Sequence, residues 1–184
     1  MNITEIETKR LVLRQWQEQD FAVFAQLNSD PNVMEFFPAP LSQEQSDSLA
    51  RRCETLIAQR GWGFWAVELK AKKEFIGFLG LHKPKSNLPF SPCVEIGWRL
   101  LEKHWGQGFA TEGGHAALAF AFDELDLDEV VSYTTAVNKR SRAVMERLSF
   151  YDTKQNFEHP ELPKGHALSE HVLYKISKSQ WLAK

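Results

Sequence analysis

The stretch HWGQGFATEG, residues 104–113, decides how the rest of the chain is read. Gly106 and Gly108 let the backbone turn sharply and approach a ligand with no side chain in the way. Upstream, CVEIGWRLL (93–101) is rich in β-branched and aromatic residues and reads as a strand. Downstream, Ala110, Ala117, Leu118, Ala121, Phe122 and Leu125 recur on one face of a helix. A glycine turn between a strand and a helix N-terminus offers unpaired N–H groups and the positive end of a dipole, which together suit phosphate oxygens. Taken alone, the same residues also describe a plain turn between two elements. They do not match a P-loop, which ends G-K-[ST], nor the G-x-G-x-x-G dinucleotide fingerprint.

Working outward, KRLVLRQW (9–16) reads as a strand and residues 19–28 as a short helix stopped at Asp30-Pro31. Ser42 and Gln45 form a possible capping box for a helix carrying Leu49, Cys53, Leu56 and Ile57 and ending at Gly61. FWAVELK (64–70) and EFIGFLGLH (74–82) read as a hairpin, and a Pro- and Ser-rich loop (84–92) leads to the strand at 93–101. Beyond the glycine loop come a strand at 129–137, a helix at 141–148, a polar loop and a last strand at 170–177. Strands in series in the middle, alternating with helices later, indicate an α/β or α+β sheet of mixed strand directions.

Composition narrows the classes. The chain has 184 residues, enough for one domain with its own core. A net charge of −2 gives no electrostatic footprint for nucleic acid, and no basic run suggests a membrane surface. With no long apolar run and no signal segment, a cytoplasmic protein is expected. Cys53 and Cys93 have no metal spacing, and the six histidines are scattered without an H-E-x-x-H pattern, so no metal is expected. Cys53 falls on an apolar helix face, where a small buried thiol is the plainer reading.

The loop W-G-Q-G-F-A (105–110) resembles the [Q/R]-x-x-G-x-[G/A] loop of the GCN5-related N-acetyltransferases (GNAT), with Trp105 where that family carries Gln or Arg. Further motifs are similar to the ribosomal-protein N-terminal acetyltransferase branch (RimJ/RimL-like). These are T-x-R-L-x-L-R at Thr8–Arg14, D-P-x-V-M at Asp30–Met34, E-I-G-W-R-L at Glu95–Leu100, A-T-E at Ala110–Glu112, and N-x-x-S-x-x-V-M-E-R-L-x-F at Asn138–Phe150. The last motif closes Leu148-Ser149-Phe150 where the family has L-G-F, so Ser149 must adopt a less favourable backbone or the helix must end differently.

The resemblance implies a single acetyltransferase domain over residues 1–184, with a largely antiparallel mixed sheet flanked by helices and splayed strands holding acetyl-CoA. It implies backbone contacts to pantetheine from Trp98, Leu100 and Leu101, and pyrophosphate binding by the N–H groups of Trp105, Gly106, Gln107, Gly108, Phe109, Ala110 and Thr111. Asn138 would bind the pantetheine arm or order a water beside it. Many relatives place a tyrosine at position 145 as general acid; Met145 stands there, and the resemblance offers Ser141 instead, which is equally readable as a helix cap.

Strand alternation makes Glu95 the candidate general base, with an ion pair to Arg99 or a neighbouring chain as the alternative role. Core packing explains part of the aromatic run GWGFW (61–65), and the rest would line an acceptor pocket flanked by the loops 35–40, 84–92 and 152–168. The implied activity is direct transfer from acetyl-CoA to a primary amine, either a protein N-terminus or a small molecule, by a monomer or homodimer. The competing class is a non-catalytic acyl-CoA-binding module.

Overall fold

The computed structural model describes residues 2–85 and 87–183. The elements run β1 (Ile6–Glu7), β2 (Leu11–Arg14), α1 (Glu18–Ser29), α2 (Gln43–Arg60), β3 (Phe64–Leu69), β4 (Glu74–His82) and β5 (Glu95–Leu100). They continue with α3 (Phe109–Ala119), β6 (Glu129–Thr135), α4 (Lys139–Arg147), β7 (Tyr151–Asp152), β8 (Phe157–Glu158), β9 (Glu170–Ser177) and α5 (Lys178–Leu182). The fold is mixed α/β with mostly antiparallel strands, as expected from the sequence. Two compact units divide it: residues up to 81 with 97–117, and residues 82–96 with 118 onward.

In the first unit β1, β2, β3 and β4 form an antiparallel series, and the second half of β5 lies beside β4. The apolar residues of α1 meet this sheet through rings: Trp16 packs edge-on to Phe24 at 4.8 Å, and Phe24 meets Phe78 at 5.8 Å. The capping box at Ser42 and Gln45 is present, and α2 ends at Gly61 with φ 85°. GWGFW belongs mainly to the core here rather than to an open wall. Trp65 is fully buried with its indole donating to the Thr4 carbonyl, and Trp62 is buried beneath Arg60.

In the second unit β5 pairs with β6 in parallel at Glu95↔Val131, and β6 runs antiparallel to β9 over seven residues. The short strands β7 and β8, both unforeseen, also pair with β9. The helix expected through Leu125 is regular only to Ala119; from Phe120 it widens, with Leu125 N bonding Phe120 O. Helix α4 starts at Lys139, two residues before the expected Ser141.

The end of α4 settles how Ser149 departs from glycine. Ser149 N donates to Glu146 O and Phe150 N to Met145 O, the paired bonds of a Schellman motif, with Met145 and Phe150 both buried. That motif needs a left-handed residue, and Ser149 supplies it at φ 68°. Because a side chain there is strained, Ser149→Gly is expected to raise stability by about 1 kcal/mol. Urea denaturation checks this, and an unchanged midpoint would show the strain to be absent.

Candidate active site

The glycine loop forms an open turn within the first unit. Gly106 and Gly108 both take positive φ, 72° and 79°, and a side chain at Gly106 would meet nothing within 4 Å. The first helical bond of α3 runs from Glu112 N to Gly108 O at 2.9 Å. The N–H groups of Phe109, Ala110 and Thr111 therefore precede the hydrogen-bond ladder and have no helical acceptor. Such a cradle fits a diphosphate: several donors converge, the helix dipole adds positive potential, and no Cβ intrudes.

Two motifs whose roles the sequence left unassigned hold this cradle in place. Arg10 Nε donates to Glu112 at 2.6 Å, its Nη1 donates to the Gln107 carbonyl at 3.0 Å, and its guanidinium lies 4.4 Å from the Phe109 ring. Thr8 Oγ1 donates to the other Glu112 oxygen at 2.6 Å, and Arg10 N donates to the same atom. Burial raises the Glu112 pKa, but the hydrogen bonds from Thr8 and Arg10 outweigh it, and the group is held below the ordinary carboxylate range. The T-x-R and A-T-E motifs are thus one structural device, invisible to local pattern reading because about a hundred residues separate its halves.

Trp105 does not point a polar head at the loop. Its indole N–H donates to the Leu100 carbonyl at 2.8 Å, fastening the loop back to β5. Leu101 N–H is given to Ile76 O at 2.9 Å. Trp98 and Leu101 are half-buried and Leu100 is buried. His104 is buried, with its ring against Phe109 and Nε2 3.4 Å from Glu74.

The second unit carries the candidate catalytic side chains. Glu95 opens β5 and is half-buried. Burial pushes its pKa up to about 7; the Tyr133 hydroxyl pulls down through a hydrogen bond, and Glu161 adds a smaller upward push. A carboxyl poised near neutrality in this way suits a general base. Around Tyr133 stand Phe90, Phe157, His159 and His171, with ring centroids 5.8–6.2 Å from it. Burial lowers the pKa of both histidines, which favours their neutral rings. Phe90, Phe157 and His159 come from the loop regions expected to flank an acceptor. Tyr133 and His171 were not anticipated, since β6 and β9 meet only through tertiary pairing.

Asn138 is the N-cap of α4, accepting from Ser141 N at 3.1 Å. Ser141 is therefore in the first turn and is not the cap. Asn138 Nδ2 donates to Thr134 Oγ1 at 3.0 Å and to Ser141 Oγ at 3.2 Å. With its oxygen accepting from Asn138, the Ser141 hydroxyl keeps its own proton to donate. Met145 is buried and offers no proton.

Neither cysteine is an activated nucleophile. Burial pushes the Cys53 thiol up to about 12 and the Cys93 thiol up to about 11, so both stay protonated near neutrality. Among the described residues, no three His, Cys, Asp or Glu side chains gather as a metal site, and no helix is long and apolar enough to cross a membrane.

Comparison with known proteins adds an independent line. The family model described as "Acetyltransferase (GNAT) domain" matches residues 10–151. The chain is 30% identical to FsC-acetyl coenzyme A-N(2)-transacetylase of Aspergillus fumigatus, over 96% of this chain and 77% of that protein. An acetyltransferase structure from Agrobacterium tumefaciens superposes with a TM-score of 0.74 at 26% identity, covering 96% of this chain and 95% of that one. A GNAT-family acetyltransferase from Bacillus anthracis superposes at 0.79 with 22% identity, covering 96% and 99%.

Proposed function

Since this chain belongs to the GNAT acetyltransferase family, we propose that it transfers the acetyl group of acetyl-CoA directly to a primary amine in a ternary complex. The observation that carries this reading is the braced cradle of Gly106 and Gly108 running into α3, with three helix N–H groups free of helical acceptors. In this reading the N–H groups from Gly106 to Thr111 hold the diphosphate; Trp105, expected to contribute as well, already gives its N–H to the Glu102 carbonyl at 2.9 Å. The backbone of Trp98 faces pantetheine. At Leu101 the N–H serves Ile76 and the carbonyl accepts from His104 N, and the Leu100 carbonyl accepts from the Trp105 indole, so those two residues have less to offer than the resemblance implied. Asn138 acts by orienting Ser141 rather than by offering its own amide, both of whose hydrogens are engaged.

The chemistry follows from these groups. Glu95 removes a proton from the acceptor ammonium, directly or through a water, and the neutral amine attacks the thioester carbonyl. A backbone N–H of β5 meets the oxyanion as the C–N bond forms. The C–S bond then breaks, and Ser141 hydrogen-bonds the leaving thiolate. Holding the two reactants together supplies much of the acceleration. High thiol pKa values at Cys53 and Cys93 argue against an acetyl-enzyme intermediate.

For the acceptor, the opening motif at Thr8–Arg14 supports the ribosomal-protein branch and thus a protein N-terminus. A small-molecule amine is the other acceptor class; the Aspergillus relative is named for acetyl transfer to an N(2) position.

A thermal-shift titration tests the cofactor site. At a hundredfold excess over Kd, acetyl-CoA is expected to raise Tm by about 5–10 °C. Gly108→Trp forces a side chain onto a positive φ inside the cradle and is expected to abolish the shift while the far-ultraviolet circular dichroism spectrum persists. No shift in the wild-type protein at millimolar acetyl-CoA would overturn the reading.

A further inference from the structure

A cation stands in the first unit with no described carboxylate bonded to it. Arg99 Nη1 donates to Asn28 Oδ1 at 2.6 Å, while Arg99 Nε is buried and has no hydrogen-bond partner. The guanidinium stands over two rings, 4.0 Å from the Phe37 centroid and 5.4 Å from that of Phe78. Asn28 is itself fully buried and fixed by a bond to Ser46, so the amide that meets Arg99 is held in place. Burial pulls the Arg99 pKa down to about 10, which leaves it charged at neutral pH.

A buried charge without an opposite charge is expensive, and two ring faces and one neutral amide offset it only in part. An orphaned buried donor calls for its own explanation. Arg14, in the same unit, is bonded by two carboxylates, Asp20 and Glu68. Arg60 also carries a buried unpartnered nitrogen, but it gives its Nε to the Trp62 carbonyl and stacks on the Trp62 ring. Arg99 is given no described carboxylate. Phe37, which covers the guanidinium, is 38% exposed, so this side of the cluster faces solvent.

We propose that Arg99 recognises a carboxylate carried by the acceptor, so that the substrate class is an amine bearing an anionic carboxyl group. This rests on the acetyltransferase reading above. A guanidinium matches the planar carboxylate by parallel hydrogen bonds, and one cation with neutral aromatic walls suits a monoanion better than a phosphate dianion. Arg99 is a specificity residue here and takes no part in proton transfer.

The test uses the whole chain and matched acceptors: ω-amino carboxylates of increasing length, each beside its carboxamide. Basicity differs within a pair but not between proteins, so the readout is the change in the acid-to-amide ratio of kcat/KM on mutation. Arg99→Gln is expected to lower that ratio on the order of tenfold, chiefly through KM, and Arg99→Lys to restore part of it. An unchanged ratio, even with both rates reduced, would reduce Arg99 to a packing role and overturn the proposal.

Binding is read separately by thermal shift. The carboxylates, but not their amides or sodium chloride at equal ionic strength, are expected to raise the wild-type Tm. If Arg99→Gln does not fold, this wild-type comparison decides, and equal shifts from acid and amide refute the carboxylate site. If no amine is acetylated at all, the acetyl-transfer reading fails, while the same binding comparison still decides for or against Arg99.

Discussion

Replacing Glu95 with glutamine is expected to lower kcat by about 10²- to 10⁴-fold, the usual contribution of a positioned general base, with little change in acetyl-CoA binding. Glutamine keeps the shape and the hydrogen bond with Tyr133 but cannot take a proton. The pH dependence separates a base from a merely structural group. Burial raises the Glu95 pKa from the ordinary 4.5 to about 7. The ionised, competent form therefore predominates above that value and falls about tenfold for each pH unit below it. Wild-type kcat is expected to climb through this region, and the residual activity of Glu95→Gln to lack that limb. A stability measurement gives a second check. A carboxyl whose folded pKa is raised contributes fully below its unfolded pKa and loses that contribution as pH rises through the folded one. Glu95→Gln is thus expected to melt above wild type at pH 8 and to lose this advantage at pH 4. An unaltered pH–rate profile in the variant would assign the base role elsewhere.

Removing Asp20 is expected to be the most damaging single change to stability, by about 3–5 kcal/mol. Its carboxylate is 1% exposed and accepts both terminal nitrogens of Arg14, at 2.7 and 2.9 Å, together with Gln17 N at 2.8 Å. Arg14 in turn gives Nε to Glu68 at 2.8 Å. Burial works against the Arg14 charge, but the bonds to Asp20 and Glu68 prevail and its pKa is raised. Asp20→Ala strips two of those bonds from a cation that stays buried and also uncaps α1. Asp20→Asn keeps an acceptor without the charge and is expected to fall between alanine and wild type. Urea denaturation at neutral pH measures both. A loss under 1 kcal/mol for alanine would show that Glu68 or water takes over the guanidinium.

The element pattern was largely legible, because β4, β9 and α2 are written by local alternation, helical spacing and the Ser42–Gln45 capping box. Short elements escaped: β1, β7 and β8 are two residues each and gain their strand character only from partners far along the chain. Within the site, the glycine loop could be read because positive φ is a backbone demand that favours glycine at Gly106 and Gly108. What holds it could not, since Thr8 and Arg10 reach Glu112 across about a hundred residues. Asn138 and Ser141 were found by motif, yet which one caps α4 emerged only from the geometry. Arg99 was offered as an ion-pair partner for Glu95, but its guanidinium bonds Asn28 and stands over the rings of Phe37 and Phe78.

By itself, the sequence determined the fold class and the glycine turn that leads into α3, because these depend on local patterning and backbone permissions, and it supplied Glu95 and Ser141 as the candidates on which the proposed function draws. Only the tertiary structure decided how those residues behave. The elevated pKa of Glu95, the hydrogen bonds of Ser141 and the neutral partner of Arg99, Asn28, are set by burial and by neighbours from other elements, since desolvation and charge pairing exist only once the chain has packed.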